Sequence, residues 1–353
     1  MPATLTLNPD TFTRTPLPVA TSWLLSDCGE FPGKQDLWVR QRPAVLEALR
    51  RQALVLSVES SNRIEGVTVS AERLRPLVLG HARPRDRSEE EVAGYRRALD
   101  WVFSPRAAAP LETRTLLHLH ALSHAGAGDA GQFKARDNEI IEIKPSGDRV
   151  VRFVPTPASD TPAAVDALCE SYRRLSEQKA APPLLLIATA VFDFLCIHPF
   201  RDGNGRVSRL ATTLLLQQQG FAVGRFVSLE RLVEDTKEDY YRVLAECSRG
   251  WAQGNHVIVP WWNYFLTIVR RAYGQFAEKF ESAGPATGKS QIVRQTALAL
   301  TEPFTLADVA AAVPGISAPL IKKMLAELRR EGRLTLEGRG RGARWCVVSP
   351  RSS

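Results

Sequence analysis

Residues 184–197 read Leu-Leu-Leu-Ile-Ala-Thr-Ala-Val-Phe-Asp-Phe-Leu-Cys-Ile and end on His198-Pro199. A helix of this composition is apolar nearly all round, so it belongs at the centre of a helical core. It contains Asp193 and is too short to span a bilayer. Pro199 stops it. A loop follows, Asp202-Gly203-Asn204-Gly205, and a second helix is expected from about Arg206 to Gln219, ended by Gly220. Whatever else the chain does, its fold must therefore place a glycine-rich loop at the end of its most buried helix.

That loop carries a specific set of side chains. Its glycines let backbone N–H groups converge on one point. The start of the following helix offers free N–H groups and the positive end of a dipole, an anion site. Arg206 and Arg209 are i,i+3 neighbours, so both guanidinium groups are expected to face one ligand. Asp202 is a hard oxygen donor suited to a Mg²⁺ that bridges phosphates. His198 is the group here that can accept a proton near neutral pH. Any one of these residues is accounted for by an ordinary helix–loop–helix turn with a capping His and surface Arg. Together they describe phosphoryl-type chemistry on an activated hydroxyl.

The segment His198-Pro-Phe-Arg-Asp202-Gly203-Asn204-Gly205-Arg206-Val-Ser-Arg209 resembles the full motif of the Fic family, HPFx(D/E)GN(G/K)RxxR, without a departure. The resemblance implies a Fic-type helical core with a β-hairpin flap. It implies His198 as general base for a Ser, Thr or Tyr hydroxyl of a protein substrate, Asp202 as Mg²⁺ ligand, and Gly203, Asn204, Gly205, Arg206 and Arg209 as nucleotide-binding residues. Attack on the α-phosphate of ATP gives AMP-protein and pyrophosphate, so the implied activity is protein adenylyl transfer (AMPylation), with ATP and Mg²⁺ as cofactors. Gly205 stands where the kinase-like branch of the family has Lys, which disfavours that branch. Removal of AMP from proteins is left open, as is a DNA-binding regulator whose core senses ATP.

Two upstream features fit the same resemblance. Ile140–Ile143 and Val150–Val154 flank a Pro-Ser-Gly-Asp turn at 145–148 and read as a β-hairpin, where Fic proteins have the flap that aligns a target segment by backbone pairing. Ser61-Asn-Arg-Ile-Glu65-Gly66 resembles the family's inhibitory motif (S/T)xxxE(G/N). Ser61 and Glu65 share a helix face, and the resemblance implies a Glu65–Arg209 pair that blocks the productive γ-phosphate position. Without that resemblance, the segment reads as a helical ending before a glycine C-cap at Gly66. Asp239-Tyr240-Tyr241 is left as aromatic packing or as one wall of an adenine pocket.

Elsewhere helices are expected at 37–61, after Ser70, and at 88–103, 113–123, 161 onward, 229–249 and 259–280, with residues 1–35 irregular. Residues 284–290 mimic a P-loop, but with three residues between the glycines and no preceding strand; they read as linker. The expected domains are 1–110, a helical region with the inhibitory helix; 111–280, the Fic catalytic core; 281–290, a linker; and 291–353, which resembles a winged helix-turn-helix. From Lys289 onward eleven Lys/Arg stand against five Asp/Glu, so +6 of the formal +8 sits in that last domain. DNA is the partner this suggests, with protein docking or a homodimer as competitors. The five scattered cysteines form no CxxC pair, and the N-terminus shows no basic-then-apolar signal pattern. Both point to the cytoplasm, with no membrane partner.

Overall fold

The computed structural model describes residues 5–35, 43–104, 110–143, 148–282, 288–300, 303–338 and 343–348. Residues 145–147 of the hairpin turn, 283–287 of the expected 281–290 linker, and Arg339 and Arg341 lie outside them. The described chain is mainly helical, with two antiparallel hairpins. Its helices are α1 (Val19–Gly29), α2 (Pro43–Ile64), α3 (Ala71–Val78), α4 (Arg87–Val102), α5 (Thr113–Ser123), α6 (Thr161–Glu177), α7 (Pro183–Ile197) and α8 (Asn204–Gln218). They continue as α9 (Leu229–Asp235), α10 (Lys237–Ser248), α11 (Val259–Ser282), α12 (Lys289–Ala299), α13 (Leu306–Ala312) and α14 (Ala318–Arg330). The hairpins are β1–β2 (Ile140–Ile143, Arg149–Phe153) and β3–β4 (Leu334–Glu337, Arg344–Val347). No helix among the described residues is long and apolar enough to cross a membrane.

The chain folds as two compact units. The first comprises Met1–Gly29, Val55–Phe221 and Leu229–Arg270. At its centre α7 is buried along its length except for Pro183 at its start and Leu195, as a helix without a polar face must be. It packs against α6 and α8. The indoles of Trp261 and Trp262 donate to Ala188 O and Thr189 Oγ1 of α7, at 2.7 and 2.8 Å. Its one charged residue, Asp193, is fully buried and accepts four hydrogen bonds: from Thr6 N, Thr6 Oγ1, Leu7 N and Trp251 Nε1. Buried carboxylates need such partners. These bonds fasten the N-terminal stretch to the core helix.

Residues 1–35, expected to be irregular, contain α1. Thr21 and Cys28 bury their side chains and bond to Asn263 Oδ1 and Leu266 O. The helix is held by these distant partners rather than by an apolar stripe of its own. The single helix expected over 229–249 is two, α9 and α10, interrupted at Thr236, whose hydroxyl bonds back to Leu232 O.

The second unit comprises Glu30–Leu54, Ala222–Ser228 and Arg271–Ser353. Within it α12, α13, α14 and the β3–β4 hairpin enclose Val293, Ala297, Phe304, Val309, Ile321, Leu325, Leu328 and Leu334. A reciprocal capping box between Thr305 and Asp308 starts α13.

Candidate active site

The last turn of α7 delivers His198 in a left-handed conformation, with φ 51° and ψ 60°. Such a φ is unfavourable for a residue with a Cβ and marks a position held by its surroundings. His198 Nδ1 lies 3.2 Å from Leu195 O. A carbonyl only accepts, so Nδ1 carries the proton and Nε2 presents its lone pair. Burial holds the imidazole pKa down to about 4. His198 is thus a neutral base through the physiological range.

The loop after it is closed by Asn204. Its Oδ1 accepts from Phe200 N at 2.9 Å, and its Nδ2 donates to Phe200 O at 2.8 Å. Both ends of this buried amide are therefore committed to the loop backbone. Gly203 has φ +81°, and a Cβ there would lie 2.5 Å from the His124 ring. Only glycine fits on both counts.

At the start of α8, Arg209 reaches the end of α2. Its Nη2 lies 2.7 Å from Glu65 Oε1 and 3.1 Å from Ser61 O, and its Nε donates to Ser61 Oγ at 2.9 Å. Arg209 is 7 % exposed, and its Nη1 is buried without a protein partner. A Cβ on Gly205 would lie 2.3 Å from Glu65 Oε1 and 3.1 Å from that free Nη1. The Glu65 carboxylate thus occupies the space over the α8 N-terminus, where free N–H groups favour an anion. Gly66, at φ +81°, ends the Ser61–Glu65 segment: Glu65 N and Val67 N both turn back to Asn62 O.

Arg206 goes elsewhere. It is 1 % exposed, 2.7 Å from Glu91 Oε2 on α4 and 3.1 Å from His124 Nε2. The two arginines expected to share a ligand are therefore held by different carboxylates, and only Arg209 lines the cavity described below. Arg206 instead backs Asp202. Hydrogen bonding with His124, aided by the charge of Arg206, holds the half-exposed Asp202 carboxyl well below the usual carboxylate range. His120 completes this layer. Gly131 N donates to its Nδ1, its Nε2 donates to Asp202 O, and its ring stacks on Phe200 with centroids 3.9 Å apart. Burial holds its pKa down to about 4. Glu91, His120 and His124 escaped the sequence reading. The available signal was the i,i+4 spacing of His120, near the end of α5, and His124, just after it.

His198, Glu65, Gly205 and Arg209 open on one cavity of about 170 Å³. Its other walls are the flap, through Ile140, Arg152 and Phe153, and α10, through Tyr240, Tyr241, Leu244 and Ser248. The hairpin pairs Ile141 with Val151 and Glu142 with Val150, with an irregularity between Ile140 and Ile141. Val150 and Val151 are exposed. Arg152 Nη2 donates to Tyr241 O at 3.3 Å and ties the flap to α10.

Residues 110–216 match the model of the Fic/DOC family. The chain is 24% identical over 209 residues to "Protein adenylyltransferase Fic" of Nematostella vectensis, covering 57% of this chain and 44% of that protein. It is 24% identical over 220 residues to "Protein adenylyltransferase fic-1" of Caenorhabditis briggsae, covering 60% and 40%. It therefore spans less than half the length of these curated relatives. The structure is similar to that of a Fic family protein from Desulfovibrio desulfuricans G20, with TM-score 0.58 and 22% identity over 96% of this chain and 99% of that one. It is also similar to Fic-1 from C. elegans, with TM-score 0.59 and 19% identity over 75% and 74%. These likenesses establish a mainly helical Fic-type fold.

Proposed function

We propose that this chain, a Fic/DOC-family protein distantly related to protein adenylyltransferases, transfers AMP from ATP to a protein hydroxyl and is restrained by Glu65. The observation that carries this reading is the convergence of His198, Gly205, Arg209 and Glu65 on one cavity.

The residues fit a nucleotide polyphosphate. Arg209 Nη1 is a buried cation donor without a protein partner, and Gly205 leaves a space beside it that a side chain would fill. Among the described residues no group of three or more His, Cys, Asp and Glu is placed to hold a metal ion. Asp202 alone suits Mg²⁺, which keeps waters and takes its remaining ligands from substrate phosphates. Bound there, the ion would neutralise charge on the phosphates.

In the reaction, the hydroxyl proton passes to His198 Nε2. The hydroxyl oxygen bonds to the α-phosphorus, and the bond from that phosphorus to the bridging oxygen of the β-phosphate breaks, so that pyrophosphate leaves. Imidazole with a free Nε2 and a depressed pKa is in the required state before the substrate arrives. The open edge and exposed valines of the flap suit an added target strand. Glu65, paired with Arg209, competes with phosphate for the same cation. Parallel reactions with α- and γ-labelled ATP test the reading. Label from the α position on protein supports it; label from the γ position alone points to a kinase.

We also propose that the second unit contacts DNA. Lys322, Lys323, Arg329 and Arg330 are exposed on α14, opposite its buried Ile321, Met324, Leu325 and Leu328. Loss of DNA retardation on a gel in Lys322→Ala/Lys323→Ala supports this, and unchanged retardation contradicts it.

A further inference from the structure

The strained turn at His198 hangs from one short segment between α5 and β1. Lys134 N donates to Pro199 O at 2.9 Å. Lys134 Nζ donates to Ile197 O at 3.3 Å and to Asn138 Oδ1 at 2.9 Å. Asn138 Nδ2 donates to Phe200 O at 3.3 Å. Three carbonyls that bracket His198, those of residues 197, 199 and 200, thus accept from two residues four apart in sequence, the last of them shared with Asn204 Nδ2. Two residues beyond Asn138 the chain enters β1 at Ile140, which lines the same cavity as His198.

Lys134 is an uncommon choice for a structural tether. It is 5 % exposed, and a buried ammonium is costly unless its donors are matched. Burial pulls its pKa down to about 8. Its side-chain hydrogen-bond partners are a carbonyl and an amide oxygen, and the negative charge of Asp137 favours the ammonium without bonding to it in either of these contacts, so a positive charge stands beside the turn. A left-handed non-glycine residue persists only where neighbours over-determine it, and this clamp supplies that constraint.

We propose that Lys134 is a positioning residue for His198: with Asn138 it fixes the turn on which the imidazole stands and joins that turn to the flap strand. The proposal rests on the reading of His198 as the base. Electrostatics agree with the geometry. After burial, which is the main cause, the Lys134 charge helps hold the His198 pKa down, while Glu65 and Asp202 pull the other way. Arg152, Arg209, Tyr240 and Tyr241 share the cavity with it.

The test compares Lys134→Met and Lys134→Arg in a full-length Glu65→Gly background. Lys134→Met should lower kcat for AMP transfer about tenfold or more, because small displacements of a base are costly, with KM for ATP within about twofold. The acid limb of its pH profile should move upward, and Lys134→Arg should recover most of the rate. A kcat within about threefold of the parent, or a loss that Arg does not recover, overturns the proposal. NMR titration of the His198 imidazole forms a second arm that needs no turnover. Its midpoint should rise in Lys134→Met, and an unmoved midpoint overturns the proposal. An inactive Glu65→Gly parent would count against AMP transfer, while the titration still decides the role of Lys134. Should Lys134→Met fail to fold, Asn138→Ala, which leaves the Lys134 charge in place, carries the kcat readout: a loss of more than about threefold with KM for ATP within about twofold supports the clamp, and a kcat within about threefold of the parent overturns it.

Discussion

The Glu65 carboxylate stands 2.7 Å from Arg209 Nη2, and Ser61, one turn earlier on α2, accepts from Nε of the same guanidinium at 2.9 Å. On the proposed reading a phosphate must replace that carboxylate on Arg209, so what holds the end of α2 bears on the resting activity.

Besides Arg209 itself, Lys237 Nζ caps Ile64 O at 3.1 Å, and Arg63 pairs with Glu234 at 2.7 Å. Both are partly exposed, so each should contribute up to about 1 kcal/mol. Lys237→Ala and Glu234→Ala are expected to raise AMP transfer by about two- to fivefold each. Rates measured beside Glu65→Gly, which should exceed both, check this.

The pH profile should lack the limb of an ordinary histidine. With its pKa held down to about 4 by burial, His198 is already unprotonated at pH 6. The activity of Glu65→Gly should be level from about pH 5.5 to 7.5 and fall only below that range. A half-maximal rate near pH 6.5 would assign the base elsewhere.

Gly203→Ala should destabilise the first unit. The positive φ costs about 1 kcal/mol. The new Cβ would also lie 2.5 Å from a His124 ring that is itself stacked on His120. A total of about 2–3 kcal/mol is expected in urea unfolding.

Asp193 should make stability fall as pH rises. Burial pushes its pKa up to about 6 against the four donors that oppose this. The ordinary value, about 3.9, applies to the unfolded chain. The stabilisation is therefore complete below about pH 4 and is lost as pH rises to about 6, on the order of 3 kcal/mol. Unfolding of the wild type relative to Asp193→Asn across that window measures it; a flat difference contradicts it.

The parts of this molecule that were legible in sequence are those where one physical requirement dominates a continuous stretch. The all-apolar run at 184–197 left no choice but a central helix, and α7 is Pro183–Ile197. The strands at 140–143 and 150–154 were separated by a turn, and β1–β2 is offset by a single residue. The partners of the motif were not legible. Nothing local in Glu91 says that it neutralises a buried Arg206, because α4 and α8 meet only through the fold. The i,i+3 spacing of Arg206 and Arg209 suggested a shared ligand, yet each guanidinium follows the carboxylate that packing brings to it. Nothing local marks Lys134 either: the carbonyls that its segment meets come from the far side of the sequence.

The central claim is that this cavity transfers AMP and that Glu65 holds it back. Intact-mass measurement of the Glu65→Gly chain after incubation with ATP and Mg²⁺ tests both at once. A gain of one adenylyl group, on this chain or on an added protein, in the variant and far less in the wild type is the predicted result. An unchanged mass in the Glu65→Gly chain and in every protein incubated with it would contradict it.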